Sequence, residues 1–211
     1  MKVKVIEESG YAAALHGVGL SFGLTSGKKC FPTDIGKWDQ WQIHGGDPKP
    51  YKDELALFKR LEGIAAKLAH KNNAENKFLR QISVVIDVNA SLTWWKQMDQ
   101  YRIGCTTQSE SSMHCILKKE ITQANFEHAI FPETLRHLEE LRQAEEFEQL
   151  VYELPCGWLQ RRILTCNYAV LQNIYNQRRH HKLKEWHIFC YEILSQVLHP
   201  EFIKMEDDTD A

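Results

Sequence analysis

The 211-residue chain has no run of eighteen apolar residues, the length at which a membrane-spanning helix becomes the natural reading. Its most apolar stretch, Ile82 to Val88, is interrupted by Asp87 and flanked by Arg80. The opening Met-Lys-Val-Lys-Val-Ile-Glu-Glu carries no apolar signal core, so a cytoplasmic location is expected. A dominant charge is also missing. Lys and Arg total 26 against 28 Asp and Glu, and no global field draws the chain to nucleic acid or anionic lipid. None of the six cysteines stands in a C-x-x-C pair, which removes zinc-ribbon and thioredoxin-like readings. In a reducing compartment they are expected as small core residues. Neither G-x-G-x-x-G nor a Walker loop occurs, so conventional Rossmann or P-loop binding is unsupported. Internal repeats and low-complexity segments are absent as well.

What is present suits a globular protein: 43% hydrophobic and 26% charged residues, in a length that supports one domain over 1–211. Residues 2–7 alternate and predict a strand; Tyr11 to Leu20 reads as a short helix. The stretch from Lys29 to Pro50 is rich in Gly and Pro and reads as a long loop pinned by Trp38 and Trp41. Apolar residues at three- and four-residue spacing predict a helix over 51–70. Residues 78–88 predict a strand with Ile82, Val84, Ile86 and Val88 on one face. Asn89 or Ser91 then caps a helix over 91–101 that carries Trp94 and Trp95. Neighbours on a helix point in different directions, so one of the two tryptophans is expected at an interface or over a ligand.

Pro132 opens a Glu-rich helix over 132–150, which Leu154-Pro155 ends. The spacing of Leu159, Ile163, Cys166, Val170 and Ile174 predicts the longest helix, 156–178, with Asn167 and Arg178 at one edge of its apolar stripe and Asn173 at the other. A last helix over 183–197 carries Trp186, Phe189, Ile193 and Val197, before an acidic tail from Glu206 to Ala211. Many helices and few strands imply an α+β fold: a small mixed or antiparallel sheet packed with several helices.

Two segments concentrate polar chemistry. Arg102-Ile-Gly-Cys-Thr-Thr-Gln-Ser-Glu-Ser-Ser-Met-His114 puts hydroxyls, an Arg, a Glu and a His within thirteen residues. Leu154-Pro155 is followed by Asn167, Asn173 and Arg178. Buried amides and hydroxyls need partners, so the two segments are expected to converge on a polar, anionic ligand. Thr106 to Ser112 reads as a polar surface loop or as a cradle for a phosphate or a flavin edge. The cluster Arg178-Arg179-His180-His181-Lys182 reads as cations matched to a helix C-terminus or as a phosphate contact. No metal is expected: His180 and His181 diverge by about 100° on a helix, with no carboxylate at matching spacing. Cys105 has no base at a recognisable spacing to activate it.

These segments resemble the flavin-dependent thymidylate synthase family, notably its short phage-borne relatives. Of the signature R-H-R-x-x-S-x-N-E-x-S-x-R, the chain keeps Arg102, Glu110 and Ser112, with Thr107 and Ser109 in place of the first Ser and the Asn. The downstream pattern, L-P and then N-x-x-x-L-x-N-x-x-x-x-R, is matched by Leu154-Pro155 and by Asn167, Leu171, Asn173 and Arg178. Leu20-Ser21-Phe22 resembles an early family turn. The resemblance implies a homotetramer with shared active sites and no membrane or nucleic-acid partner. It also implies FAD as cofactor, a pyrimidine nucleotide (dUMP) as substrate, and methylenetetrahydrofolate and NADPH as co-substrates. The product would be dTMP, made in the host cytoplasm if the chain is phage-encoded. By the same resemblance Arg102, Glu110, Asn167, Asn173 and Ser21 sit near the flavin. Ser112, His114 and Arg178 sit near the nucleotide, with Arg178 holding and polarising the uracil ring. Ile103, Gly104, His114, Val151, Lys77 and Asp99 stand where the family has His, Arg, Arg, Arg, His and Gln.

Overall fold

A computed structural model describes residues 1–31, 52–71 and 74–204. The acidic tail, and all but the first residues of the 29–50 segment with Trp38 and Trp41, lie outside the described residues.

Strand β2 (Ser83–Ser91) is the spine of the molecule. Its burial alternates residue by residue, and Ile82, Val84, Ile86, Val88 and Ala90 are fully buried. A strand with one sealed face needs partners on both edges. β1 (Lys2–Ser9) pairs antiparallel on one side, with a register shift between Val5 and Glu7 that leaves Ile6 half exposed. On the other side lies β4 (Leu159–Asn167), and β3 (Thr106–Ser109) closes the order β1-β2-β4-β3. The expected α+β architecture is therefore an antiparallel four-stranded sheet with helices on its buried face.

β4 corrects the sequence reading. The expected helix over 156–178 is a nine-residue strand followed by a helix. Leu159, Ile163 and Cys166 fit a 3.6-residue period by coincidence. Leu164 and Cys166, two apart, are the residues that enter the core, as a period of two requires. The partner strand β2 supplied the information that a local window lacks.

Among the described residues the α-helices are α1 (Tyr11–Ser21), α2 (Lys52–Ala69), α3 (Leu92–Met98), α4 (Ser112–Cys115), α5 (Pro132–Gln143), α6 (Phe147–Glu153), α7 (Tyr168–Arg178) and α8 (Lys184–Gln196). The expected 132–150 helix is two, because Glu145 adopts φ 58 between them. Residues Lys77–Gln81 form a 3₁₀ turn before β2, so the strand starts later than its sequence suggests and runs on to Ser91. The main core joins the sheet with α1, α2, α3, α7 and α8. A second cluster of Ile116, Ile121, Phe126, Leu138 and Leu150 lies under α5 and α6.

α3 is capped by Ser91, whose hydroxyl accepts from the Trp94 amide. The same hydroxyl donates to Glu185 at 2.6 Å, and the Ser91 amide donates to the other oxygen of that carboxylate. This buried pair staples α8 to the start of α3. It also explains why Trp94 and Trp95 are both fully buried, against the expectation that one faces outward. α3 is short and covered on two sides. Trp94 packs on Trp186 and Phe189 of α8, while Trp95 lies under Arg162 of β4 and donates to the Gln160 carbonyl.

Candidate functional site

Helix α7 begins at a strand–helix junction made by Asn167. Its backbone is extended, and its Oδ1 accepts from the Val170 amide at 3.1 Å, an N-cap that explains why the strand turns into a helix here. Alongside α7 runs the segment from Tyr101 to Cys105. At one end Gly104, at φ 77, sits so close to Asn167 and Val170 that an added Cβ would lie 3.0 Å from Asn167 Nδ2. At the other end the Tyr101 hydroxyl donates to Gln177 Oε1 at 2.9 Å and accepts from Arg178 Nε at 2.8 Å. The segment that carries Arg102 thus lies against Asn167 at its Gly104 end and against Arg178 at its Tyr101 end.

Arg178 is held on this face by two aromatic rings and neutral oxygens. Its guanidinium lies 5.0 Å from the ring centroid of Trp186 and 5.6 Å from that of Tyr101. Gln97 Oε1 accepts from Trp186 Nε1 at 2.7 Å and makes a long 3.5 Å contact to Arg178 Nη1. Among the described residues Arg178 has no carboxylate partner and Nη2 has no hydrogen-bond acceptor. Of the two readings of the 178–182 cluster, cations matched to a helix C-terminus describe this packing: Arg178 closes the last turn of α7, and Arg179 Nη1 donates to the Asn176 carbonyl at 2.9 Å. Beside Arg178, His181 accepts from the Leu183 amide through Nδ1. Burial, and then the charges of Arg178 and His187, push its imidazole below the usual histidine range.

Asn173 is exposed on the same helix, with Oδ1 accepting from Gln177 Nε2 at 2.9 Å. Both amides keep their Nδ2 donors while their oxygens are engaged. Asp99, which stands where the family has Gln, is held by Arg162 at 2.9 Å. Its charge is therefore compensated. Cys105 is half-buried, and burial pushes its thiol up to about 11, so it is not a thiolate at neutral pH.

The remaining predicted residues lie elsewhere. β3 pairs Thr106 with Thr165 and Ser109 with Arg162, so half of the expected Thr106–Ser112 loop is an edge strand. The Glu110 amide donates to the Arg161 carbonyl. Arg161 and Asn167 are six strand steps apart on β4, about 20 Å. Glu110 lines a polar cleft of about 300 Å³ with Ser111, Cys115, Lys119, Trp158 and Arg161, and Ser112 and His114 lie on α4 beside it. Within one chain Glu110, Ser112 and His114 do not converge with Arg102, Asn167, Asn173 and Arg178. Ser21 is at a third place, in a hollow of about 110 Å³ with Gly17, Phe78 and Gln81. Val151 packs into the second apolar cluster. Lys77 lines the Ser21 hollow, away from the Arg178 group.

The sequence reading missed Tyr101, Gln97 and Gln177. Their only sequence signal is the four-residue spacing of Gln97 and Tyr101. Among the described residues no group of three or more His, Cys, Asp or Glu side chains is arranged to hold a metal ion, and no helix is long and apolar enough to cross a membrane.

No protein-family model matches the sequence, and no curated protein matches it. Solved structures do. Thymidylate synthase X (ThyX) of Helicobacter pylori, solved with FAD and dUMP, aligns with a TM-score of 0.69 and 13% identity, covering 97% of this chain and 98% of that one. A second structure of the flavin-dependent enzyme from that organism, also with FAD and dUMP, gives the same figures. The UMP/dUMP methylase PolB of Streptomyces cacaoi, bound with 5-Br dUMP, aligns with a TM-score of 0.62 and 11% identity over 95% of this chain and 93% of that one. Nearly end-to-end coverage in both directions, on the sheet and helices described above, gives this chain the fold of the flavin-dependent thymidylate synthases.

Proposed function

We propose that this protein binds FAD and a pyrimidine nucleotide and transfers a one-carbon unit to the nucleotide ring. The specific reaction we infer is reductive methylation of dUMP to dTMP, with methylenetetrahydrofolate as carbon donor and NADPH as reductant. The observation that carries the reading is Arg178, a half-buried guanidinium stacked on Trp186 and left without a carboxylate among the described residues. Such a group is expensive to hold unpaired unless a ligand uses it.

The chemistry of the donor set fits the ligands. A flavin and a uracil share an imide edge, two carbonyl oxygens flanking an N–H. The Nδ2 donors of Asn167 and Asn173 and the Nη2 of Arg178 suit those oxygens. Arg102, exposed at the turn before Gly104, suits a phosphate. When bound, FAD supplies the two-electron reduction that such a methylation needs. Arg178 would donate to a uracil carbonyl and draw electron density from the ring, a polarisation strengthened where water is excluded. Tyr101 and Gln97 fix the direction of those donors. No protein nucleophile is required, consistent with the unactivated Cys105 thiol.

A shared site in a homotetramer belongs to the same proposal. Glu110 stands about 20 Å from Asn167 along β4, and a second copy would bring the two groups to one ligand. All four residues of β3 are exposed at the sheet edge, and Ile103 is 93% exposed, surface of the kind that oligomers cover. A second reading, methyl or hydroxymethyl transfer to another pyrimidine nucleotide, is supported by the likeness to the UMP/dUMP methylase. Titration of the apoprotein with FAD and then with dUMP, UMP and dCMP tests these readings. Saturable FAD binding with preference for dUMP is expected. Intact folding with no binding of FAD or of any pyrimidine nucleotide would leave a non-catalytic relative. Light scattering near 25 kDa would overturn the shared site.

A further inference from the structure

We infer that Gln97 and Tyr101 are positioning residues that hold Arg178 without neutralising it, and so keep its charge available for the pyrimidine ring of the substrate. The inference rests on the functional reading above. Every contact that orients Arg178 is uncharged. The Tyr101 hydroxyl takes Nε at 2.8 Å, the Gln97 carbonyl faces Nη1 at 3.5 Å, and the guanidinium lies over the Trp186 and Tyr101 rings.

Neighbouring carboxylates are committed elsewhere. Asp99, two residues from Gln97 and from Tyr101, is held by Arg162, whose guanidinium in turn covers Trp95. Glu185, next to Trp186, takes both the amide and the hydroxyl of Ser91. Hydrogen bonds among the clamping groups limit their own freedom. Gln97 Oε1 is fixed by Trp186 Nε1 at 2.7 Å, and the Tyr101 hydroxyl by Gln177 Oε1 at 2.9 Å, while Gln177 Nε2 donates to Asn173 Oδ1 at 2.9 Å. An arginine clamped by aromatic faces and neutral oxygens loses its rotational freedom and keeps its whole charge. The same continuous chain of hydrogen bonds links Arg178 to Asn173, so the two groups assigned to nucleotide and flavin are aimed together.

Gln97→Glu is the discriminating variant. The carboxylate still accepts from Trp186 and adds an ion pair to Arg178, so thermal stability is held or raised. A structural role for Gln97 is then preserved, while the charge offered to the ligand is cancelled. Calorimetric titration of the full chain with dUMP, at fixed FAD, should show affinity falling about 10- to 100-fold, the equivalent of one lost charge-assisted hydrogen bond. Tyr101→Phe keeps the ring and removes the hydroxyl, and should weaken dUMP by about fivefold or more as Arg178 is freed. Lys96→Glu, a charge change on the exposed side of the same helix, should leave affinity within about twofold. Native-like dUMP affinity in Gln97→Glu overturns the inference, and so does an equal loss in Lys96→Glu. Absence of pyrimidine-nucleotide binding by the native chain overturns the functional reading itself, and is distinct from native binding that no clamp variant alters.

Discussion

Replacing Gly104 tests both the fold and its relation to the family. The residue has φ 77, a region in which an L-residue is strained. A Cβ there would lie 3.0 Å from Asn167 Nδ2 and 3.1 Å from Val170 Cγ2. The backbone costs about 1–2 kcal/mol for alanine. Displacing Val170 from its rotamer adds about 0.5–1 kcal/mol. Gly104→Ala should therefore lose about 1.5–3 kcal/mol, a fall of about 3–12 °C in melting temperature for a protein of this size. Because the neighbour that must give way is the cap of α7, FAD affinity should drop in the same variant. Gly104→Arg, which restores the residue of the family signature, should be at least as unstable as the alanine variant. Differential scanning calorimetry of both variants decides the matter. An alanine variant melting within about 1 °C of the native chain, or an arginine variant more stable than it, would refute the backbone argument.

Three further outcomes follow from local geometry. A Cβ on Gly10 would lie 2.1 Å from the Gln81 carbonyl oxygen, with φ 87, so Gly10→Ala should cost about 3–5 kcal/mol in urea denaturation; a loss under about 1 kcal/mol would contradict it. Ser91→Ala removes the α3 cap and a donor to the buried Glu185 carboxylate, and should cost about 2.5–4 kcal/mol, summing a cap and a charged hydrogen bond. The Arg142 guanidinium beside Glu139 holds its carboxyl down to about 2 from the usual 4.5. That contribution to stability is fully present above pH 4.5 and lost as pH falls toward 2; in acid titrations Glu139→Gln should show a shallower decline over this window, and parallel curves would count against the pair.

Much of the fold was legible because local patterns carried it. The alternation of Ile82 to Val88, the periodicity of 51–70, Pro132 as a helix start and the apolar stripe from Trp186 to Val197 all describe real elements. Two of the failures share a cause: each needed a partner remote in sequence. Residues 159–167 satisfy both a helical and a strand period, and only pairing with β2 and β3 decides between them. Trp94 and Trp95 are both buried because α8 covers one side of α3 and Arg162 the other. The candidate site divides the same way. The motif spacing singled out Arg102, Asn167 and Arg178, but Tyr101 and Gln97, which hold Arg178, belong to no motif. The separation of Glu110 from Asn167 is a consequence of strand register.

The pattern of paired and unpaired cations narrows what the candidate site can do with an anionic substrate. Arg161 is tied to Asp87 through two hydrogen bonds, and Asp87 is held below the usual carboxylate range by that contact. Arg162 is tied to Asp99. Neither can serve a phosphate without breaking an ion pair, although both project from the strand that links the two halves of the site. Arg102 and Arg178 make no ion pair among the described residues, and they lie on the same segment-and-helix face. Arg178 is aimed by neutral groups, whereas Arg102 is exposed and free to follow a ligand. The division suits a planar ring at Arg178 and a mobile phosphate at Arg102. Among the described residues the charge of Arg178 is kept from every nearby carboxylate, which is the arrangement that the proposed binding of a pyrimidine nucleotide requires.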